Sequence, residues 1–218
     1  MERLICLAVG YVCGLFQTGY LVGKMSHVDI RKKGSGNAGT TNALRVLGWK
    51  AGILTFLGDV VKCIAAFLIV FFMYRGSEYR PLLCIYAGAG VTLGHNFPFY
   101  MNFKGGKGIA VMAGLVVANS FWHLPVSLLL IPVTLAFFVV PVAATRYISV
   151  GSLSAYTAFF IEMILAGQAG WFEMDPARYA ELCVVLFLMT ALAWYRHRAN
   201  LERLMNGTEN KFGSKKKE

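Results

Sequence analysis

Residues 51–73 read AGILTFLGDVVKCIAAFLIVFFM, an apolar run broken by two formal charges, Asp59 and Lys62. An α-helix rises about 1.5 Å per residue, so roughly 20 such residues cross the ~30 Å hydrocarbon layer of a bilayer. A water-soluble core has no need of a stretch that long without polar relief. Similar runs lie on either side, at 4–22, 81–97, 109–121, 124–143, 148–167 and 179–195. The chain therefore reads as an all-α integral membrane protein of about seven transmembrane helices joined by short loops. The third and fourth runs are short and rich in glycine, so one or both are open to a re-entrant or broken path, which backbone polarity permits only where protein or water lines the break.

Composition agrees with that reading. Of 218 residues (24.0 kDa), 57% are hydrophobic and only 15% charged, and the mean hydropathy is +0.57. Those values exclude a disordered chain or a collagen, and they leave too little polar surface for a soluble domain. The net charge of +10 would suit a nucleic-acid binder only if the basic groups lay on an exposed domain, and they do not. The five cysteines sit in apolar stretches without C-x-x-C spacing and are read as small buried hydrophobes, so no metal site is expected. The first apolar run shows no small-residue cleavage pattern and is read as a span, not a removable signal.

Orientation follows from the distribution of Lys and Arg. With seven spans, 16 of these residues fall on one side, among them Lys24, Arg31, Lys32, Lys33, Arg45, Lys50, Lys104, Lys107, Arg146 and the C-terminal group; 4 fall on the other, namely Arg3, Arg75, Arg80 and Arg178. The positive-inside bias puts the first side in the cytoplasm, with the N-terminus outside and the C-terminus inside. Spans and the two long polar stretches account for nearly the whole chain. Residues 1–213 are expected to form one transmembrane domain, and 214–218 a basic, lipid-attracted tail.

Four polar segments fall on that cytoplasmic side. Residues 34–45 read GSGNAGTTNALR, where Gly36 and Gly39 let backbone N–H groups converge on an anion, Ser35, Thr40 and Thr41 add hydroxyls, and Arg45 can fork onto a phosphate. A flexible loop ending in a helix cap accounts for the Gly and Ser but not for Arg45 and two Asn residues. The spacing is not that of a P-loop. Residues 95–108, HNFPFYMNFKGGKG, place Lys104 and Lys107 among glycines, again apt for phosphate. For Lys107 that role and a topology-fixing anchor with interfacial aromatics fit equally well, while His95 reads as a satisfied structural histidine. Residues 145–152 (TRYISVGS) and 197–211 (HRANLERLMNGTENK) complete the set, with His197 and Asn200 on one helical face. The charge rule does not explain Ser, Thr, Asn and His gathering on one face, so a single shared polar site is expected.

Within the spans, Asp59, Lys62 and Glu162 each cost roughly 2.5 to 3.5 kcal/mol near the bilayer centre. Asp59 and Lys62 stand three apart and are expected to pair; Glu162 has no evident partner. A small transporter of an anionic metabolite would also use intramembrane charge, but its polar groups belong at the midplane, and no inverted repeat is visible here. A structural assembly factor leaves the Ser/Thr/Asn/Arg convergence without a purpose.

Taken together, the four segments and the intramembrane Gly58-Asp59-x-x-Lys62 resemble the bacterial acyl-phosphate-dependent glycerol-3-phosphate acyltransferase (PlsY) family over residues 34–211. Cys63 departs from the glycine that often follows that lysine. The resemblance implies transfer of a fatty acyl group from acyl phosphate to the 1-hydroxyl of sn-glycerol 3-phosphate, giving lysophosphatidic acid and phosphate, the first acylation step of phospholipid synthesis. It implies a multi-pass protein of the bacterial inner membrane with its site facing the cytoplasm, with membrane lipid around it and no cofactor, metal or nucleic acid. It assigns Ser35, Asn37, Thr41, Asn42, Arg45, Lys104, Ser149, His197 and Asn200 to substrate binding, with Gly36, Gly39, Gly105 and Gly106 shaping the backbone, and puts Ser35, Lys104 and His197 at the reacting groups. An acyl phosphate is already activated, so direct transfer needs orientation and charge stabilisation and no covalent nucleophile. The His-x-x-x-x-Asp pair of other acyltransferases is missing, since Glu202 stands at that spacing from His197.

Overall fold

The computed structural model describes residues 1–213, so the basic tail at 214–218 lies outside the described residues. The described chain is all-helical. In order it forms α1 (Glu2–Gly14), α2 (Thr18–Met25), α3 (Thr40–Leu47), α4 (Trp49–Met73), α5 (Arg80–Asn96), α6 (Ile109–Asn119), α7 (Leu130–Thr145), α8 (Ile148–Gln168), α9 (Pro176–Arg196) and α10 (Arg198–Met205). Short 3-10 turns lie at Ile30–Lys32, Phe99–Met101 and Val126–Leu129.

Every apolar run becomes helical, but among the described residues five segments are long and apolar enough to cross a membrane: Glu2–Met25, Trp49–Met73, Val126–Thr145, Ile148–Gln168 and Pro176–Arg196. Helix α5 has 17 residues and α6 has 11. At about 1.5 Å per residue α6 is roughly 16 Å long, about half the hydrocarbon thickness, and does not cross as a helix by itself. The last part of the irregular chain leading into it, after the exposed Asn102, Phe103 and Lys104, is enclosed by protein. Gly105, Gly106 and Gly108 are buried, and the Gly105 and Gly106 N–H groups donate to Asn96 O and His95 O at 3.1 and 3.0 Å. Enclosure of this kind is what allows non-helical backbone inside a membrane protein.

The first span is broken between α1 and α2. Gln17, buried at the break, donates through Nε2 to Gly14 O, Gly94 O and His95 O at 3.1, 3.2 and 3.1 Å, and Lys62 Nζ donates to Phe16 O at 2.8 Å. The bonds to Gly14 O and Phe16 O satisfy carbonyls that the interrupted helix would otherwise leave bare in an apolar setting, and those to Gly94 O and His95 O tie the break to α5.

Small residues set the packing. A Cβ added to Gly10 would lie 2.0 Å from Ala87 O, and one added to Gly90 or Gly94 would lie 2.2 Å from Leu7 O or Tyr11 O. Helices α1 and α5 thus touch backbone to backbone, the close approach that small-xxx-small spacing provides in membranes. At the end of the bundle remote from the four polar segments, Arg3 and Tyr86 both engage Glu181, with Arg3 Nη2 and Tyr86 OH each 2.7 Å from a carboxylate oxygen, tying α1, α5 and α9 together. Glu162 receives the Thr134 hydroxyl at 2.7 Å, a link from α7 to α8 that gives this intramembrane acid a partner. Phe72, Val61, Leu57, Val140 and Leu188 are exposed on the outer faces, where lipid is the solvent.

Candidate active site

All four polar segments line one cavity of about 800 Å³. Its first wall is the loop before α3. Asn42, buried on α3, reaches back to accept the Ser35 N–H at 2.8 Å and to donate to Ile30 O and Lys33 O at 2.8 and 3.1 Å. Gly34 must adopt φ +62, and a Cβ there would lie 2.3 Å from the Asn42 amide oxygen, so the loop closes only with glycine. Asn37 accepts the Gly39 N–H at 2.9 Å and donates to Gly105 O at 3.4 Å, pinning the first loop to the third. Helix α3 then starts at Thr40 behind Gly39, which has no side chain to cap it. The N–H groups of Thr40 and Thr41 have no carbonyl partner, and the buried Thr40 hydroxyl has no partner either, among the described residues. Unpaired donors at a helix N-terminus, with Arg45 one turn further on, form a site that attracts an anion.

In the third loop, the close approach that Gly105 and Gly106 make is to α5. A Cβ on either would come within 2.0 Å of His95, at the carbonyl oxygen for Gly105 and at Nε2 for Gly106. Their carbonyls accept from Arg196 Nη2 at 3.2 and 2.9 Å. With N–H and C=O both engaged, these glycines hold the loop against α5 and do not present backbone donors to a ligand. Lys104 is exposed and does not line the cavity, whereas Lys107 is half-buried, lines it and donates to Asn200 Oδ1. Burial, reinforced by the nearby Arg203 guanidinium, pushes the Lys107 ammonium down to about 8.

The third wall comes from the C-terminal segments. His197 sits between α9 and α10, buried, with Nδ1 at 2.8 Å from Ala193 O. A carbonyl only accepts, so Nδ1 carries the proton and the Nε2 lone pair is left for the cavity that His197 lines. Burial, with the Lys107 charge next, pushes His197 down to about 4 and keeps it neutral near pH 7. Asn200 Nδ2 donates to Glu209 Oε1 at 2.7 Å, Ser149 Oγ to the same oxygen at 3.4 Å, and Arg203 Nε to Glu209 Oε2 at 2.7 Å. Glu209 therefore gathers three cavity-lining side chains from α8 and α10. Beyond it Phe212, which also lines the cavity, is strapped to Arg146, with Phe212 N–H on Arg146 O at 2.6 Å and Arg146 Nη2 on Phe212 O at 2.9 Å.

At the inner end stand Asp59 and His95, which also line the cavity. Lys62 Nζ donates to Asp59 Oδ1 at 2.7 Å and to His95 Nδ1 at 2.8 Å, in addition to Phe16 O. The expected Asp59–Lys62 pair is thus made, and it extends to His95. Leu44, Phe56, Ile109, Phe138 and Ile148 give the same cavity an apolar flank. No group of three or more His, Cys, Asp or Glu side chains is placed to hold a metal ion among the described residues.

Of the residues singled out in the sequence, Ser35, Asn37, Gly39, Thr41, Asn42, Arg45, Ser149, His197 and Asn200 meet at the cavity, while Gly36, Lys104, Gly105 and Gly106 are not part of its lining. Thr40 and Lys107, expected as phosphate donors in the two loops, line it as well, and Asp59, Arg203 and Glu209 are there without having been singled out as ligands. Arg203 and Glu209 lie in the C-terminal motif with His197, six residues apart, a spacing that gives no local sign of their 2.7 Å ion pair.

Comparison with known proteins puts this arrangement in company. Residues 4–207 match the family model described as glycerol-3-phosphate acyltransferase. The glycerol-3-phosphate acyltransferase of Clostridioides difficile (strain 630) is 44% identical over 215 residues, covering 98% of this chain and 97% of the relative. That of Chlorobium phaeobacteroides is 38% identical over 240 residues, covering 98% of each. Among solved structures, PlsY, an integral membrane glycerol 3-phosphate acyltransferase, superposes in its glycerol 3-phosphate form with a TM-score of 0.79 at 30% identity, over 98% of this chain and 96% of that one. Its lysophosphatidic acid form gives a TM-score of 0.77 over the same shares.

Proposed function

This chain belongs to the glycerol-3-phosphate acyltransferase family, and from that premise we propose that it transfers a fatty acyl group from acyl phosphate to the 1-hydroxyl of sn-glycerol 3-phosphate at the cytoplasmic face of the bacterial inner membrane. The products are lysophosphatidic acid and inorganic phosphate. The observation that carries this reading is the ~800 Å³ cavity, in which Arg45, Lys107, Arg203 and the open N-terminus of α3 offer positive charge and donors beside an apolar flank. Two phosphate-bearing substrates need the former and an acyl chain needs the latter. The related PlsY has been captured with glycerol 3-phosphate and with lysophosphatidic acid, one substrate and one product of this reaction.

In the reaction, the 1-hydroxyl oxygen attacks the acyl carbonyl carbon, the bond from that carbon to the phosphate oxygen breaks, and phosphate leaves with the bonding electrons. His197 Nε2 accepts the hydrogen bond of the attacking hydroxyl and aims it. With its pKa pushed down to about 4, His197 is a weak base, so the proton finishes on an oxygen of the departing phosphate. Ser35, the Thr40 and Thr41 N–H groups, Arg45 and Lys107 stabilise charge on the carbonyl oxygen and phosphate. Ser35, at the loop rim, is a donor here and not a nucleophile, because no base is paired with it.

Purified protein given glycerol 3-phosphate with acyl phosphate, acyl-CoA or acyl-carrier protein in separate reactions is expected to form lysophosphatidic acid from acyl phosphate. Product from a thioester alone would sink the donor assignment.

A further inference from the structure

Within the cavity, Asp59 is a buried carboxylate with one oxygen engaged and one bare. Its exposure is 1%, and both of its donors, Thr18 Oγ1 at 3.3 Å and Lys62 Nζ at 2.7 Å, address Oδ1. Oδ2 receives no hydrogen bond among the described residues, although Asp59 lines the cavity. The other cavity carboxylate, Glu209, has both oxygens occupied, and the amide oxygens of Asn37, Asn42 and Asn200 are taken by Gly39, Ser35 and Lys107. Lys62 has no donor to spare for a ligand, since its three N–H bonds go to Phe16 O, Asp59 and His95.

A bare carboxylate oxygen in a chamber otherwise rich in cations and donors weakens anion binding unless the ligand brings a donor to it. Glycerol 3-phosphate brings two hydroxyls, and each needs an acceptor where water is excluded. His197 Nε2 serves the reacting one. We propose that Asp59 Oδ2 accepts the hydrogen bond of the other, the 2-hydroxyl, and so makes Asp59 the residue that selects a glycerol phosphate over phosphates lacking that group. This assignment rests on the acyltransfer reading given above. Asp59 is then a substrate-binding residue, and Lys62 a positioning residue that fixes which oxygen faces the ligand.

The test compares glycerol 3-phosphate with 3-hydroxypropyl phosphate, which keeps the phosphate and the primary hydroxyl but lacks the 2-hydroxyl, at a fixed acyl phosphate concentration. The wild-type enzyme is expected to favour glycerol 3-phosphate at least tenfold in kcat/KM, the size of effect a hydrogen bond to a charged group commands. Asp59→Asn keeps an oxygen for Lys62 but puts an NH2 in place of Oδ2. It should lose that preference, acting on the two substrates within about threefold of each other. If Asp59→Asn alone does not fold, the charge-neutral pair Asp59→Asn with Lys62→Gln carries the same comparison. A wild-type enzyme blind to the 2-hydroxyl, or an equal loss on both substrates in a folded variant, overturns the assignment to Asp59 and leaves acyl transfer standing. A wild-type protein that acylates neither substrate with any donor takes both readings down.

Discussion

Lys104 and Lys107 stand three residues apart in one glycine-rich loop, yet only Lys107 is drawn into the cavity. The difference comes from the loop folding back onto α5 through Gly105 and Gly106, a long-range event that the spacing of the two lysines does not reveal. Lys107→Ala is therefore expected to lower kcat/KM for glycerol 3-phosphate by tenfold to a hundredfold, and Lys104→Ala by clearly less, as steady-state assays of the folded variants will show. The depressed Lys107 pKa of about 8 adds a pH signature. Its charge, which the proposed phosphate binding requires, is lost as pH rises through 8, so kcat/KM should fall on that limb, and Lys107→Arg should move the limb upward. Stability runs the opposite way. Folding disfavours the charged ammonium, so the protein gains stability as pH climbs from 8 towards the ordinary lysine value of 10.5.

At the scale of helices, the apolar runs were readable because lipid cannot pair backbone groups and each crossing must satisfy its own. The break in the first run was not readable. Leu15-Phe16-Gln17 contains neither Gly nor Pro, and what stabilises the break is Gln17 bonding to α5 and Lys62 reaching across from α4. The length of α6 was equally hidden, since it depends on a loop folded inside the bundle. The seam between α1 and α5 gives the element-scale prediction. Gly90→Leu forces a side chain where a Cβ already meets Leu7 O at 2.2 Å, whereas Gly76 has nothing within 4 Å. Overpacking typically costs about 1–3 kcal/mol, so Gly90→Leu should lower Tm in detergent by several degrees or abolish recovery of folded protein, with Gly76→Ala unchanged. Equal Tm values for the two would mean that the seam yields easily.

For the molecule as a whole, the proposed orientation is open to a labelling experiment. In a variant free of its own cysteines, an impermeant thiol reagent on intact cells should reach a cysteine at Ser77 and not one at Lys33. Labelling of both would break the arrangement on which a cytoplasmic site depends. Direct transfer makes its own demand: mixing with labelled acyl phosphate, in the absence of glycerol 3-phosphate, should leave no label on denatured protein. The residues that line the cavity were legible to the extent that they cluster in local motifs, as Ser35, Arg45, His197 and Asn200 do. Asp59 was legible as an expensive charge but not as part of the cavity, because its exposure there depends on how α4 packs against α2 and α5. The strap formed by Phe212 on Arg146 reaches further still. It supplies the final wall, together with Glu209, from the segment that follows α10. The helices can thus insert and pack while the cavity still lacks that wall, and the segment after α10 completes it. A variant truncated after Met205 should still be recovered folded from membranes yet form no lysophosphatidic acid in the acyltransfer assay, which would separate the scaffold from the finished chamber.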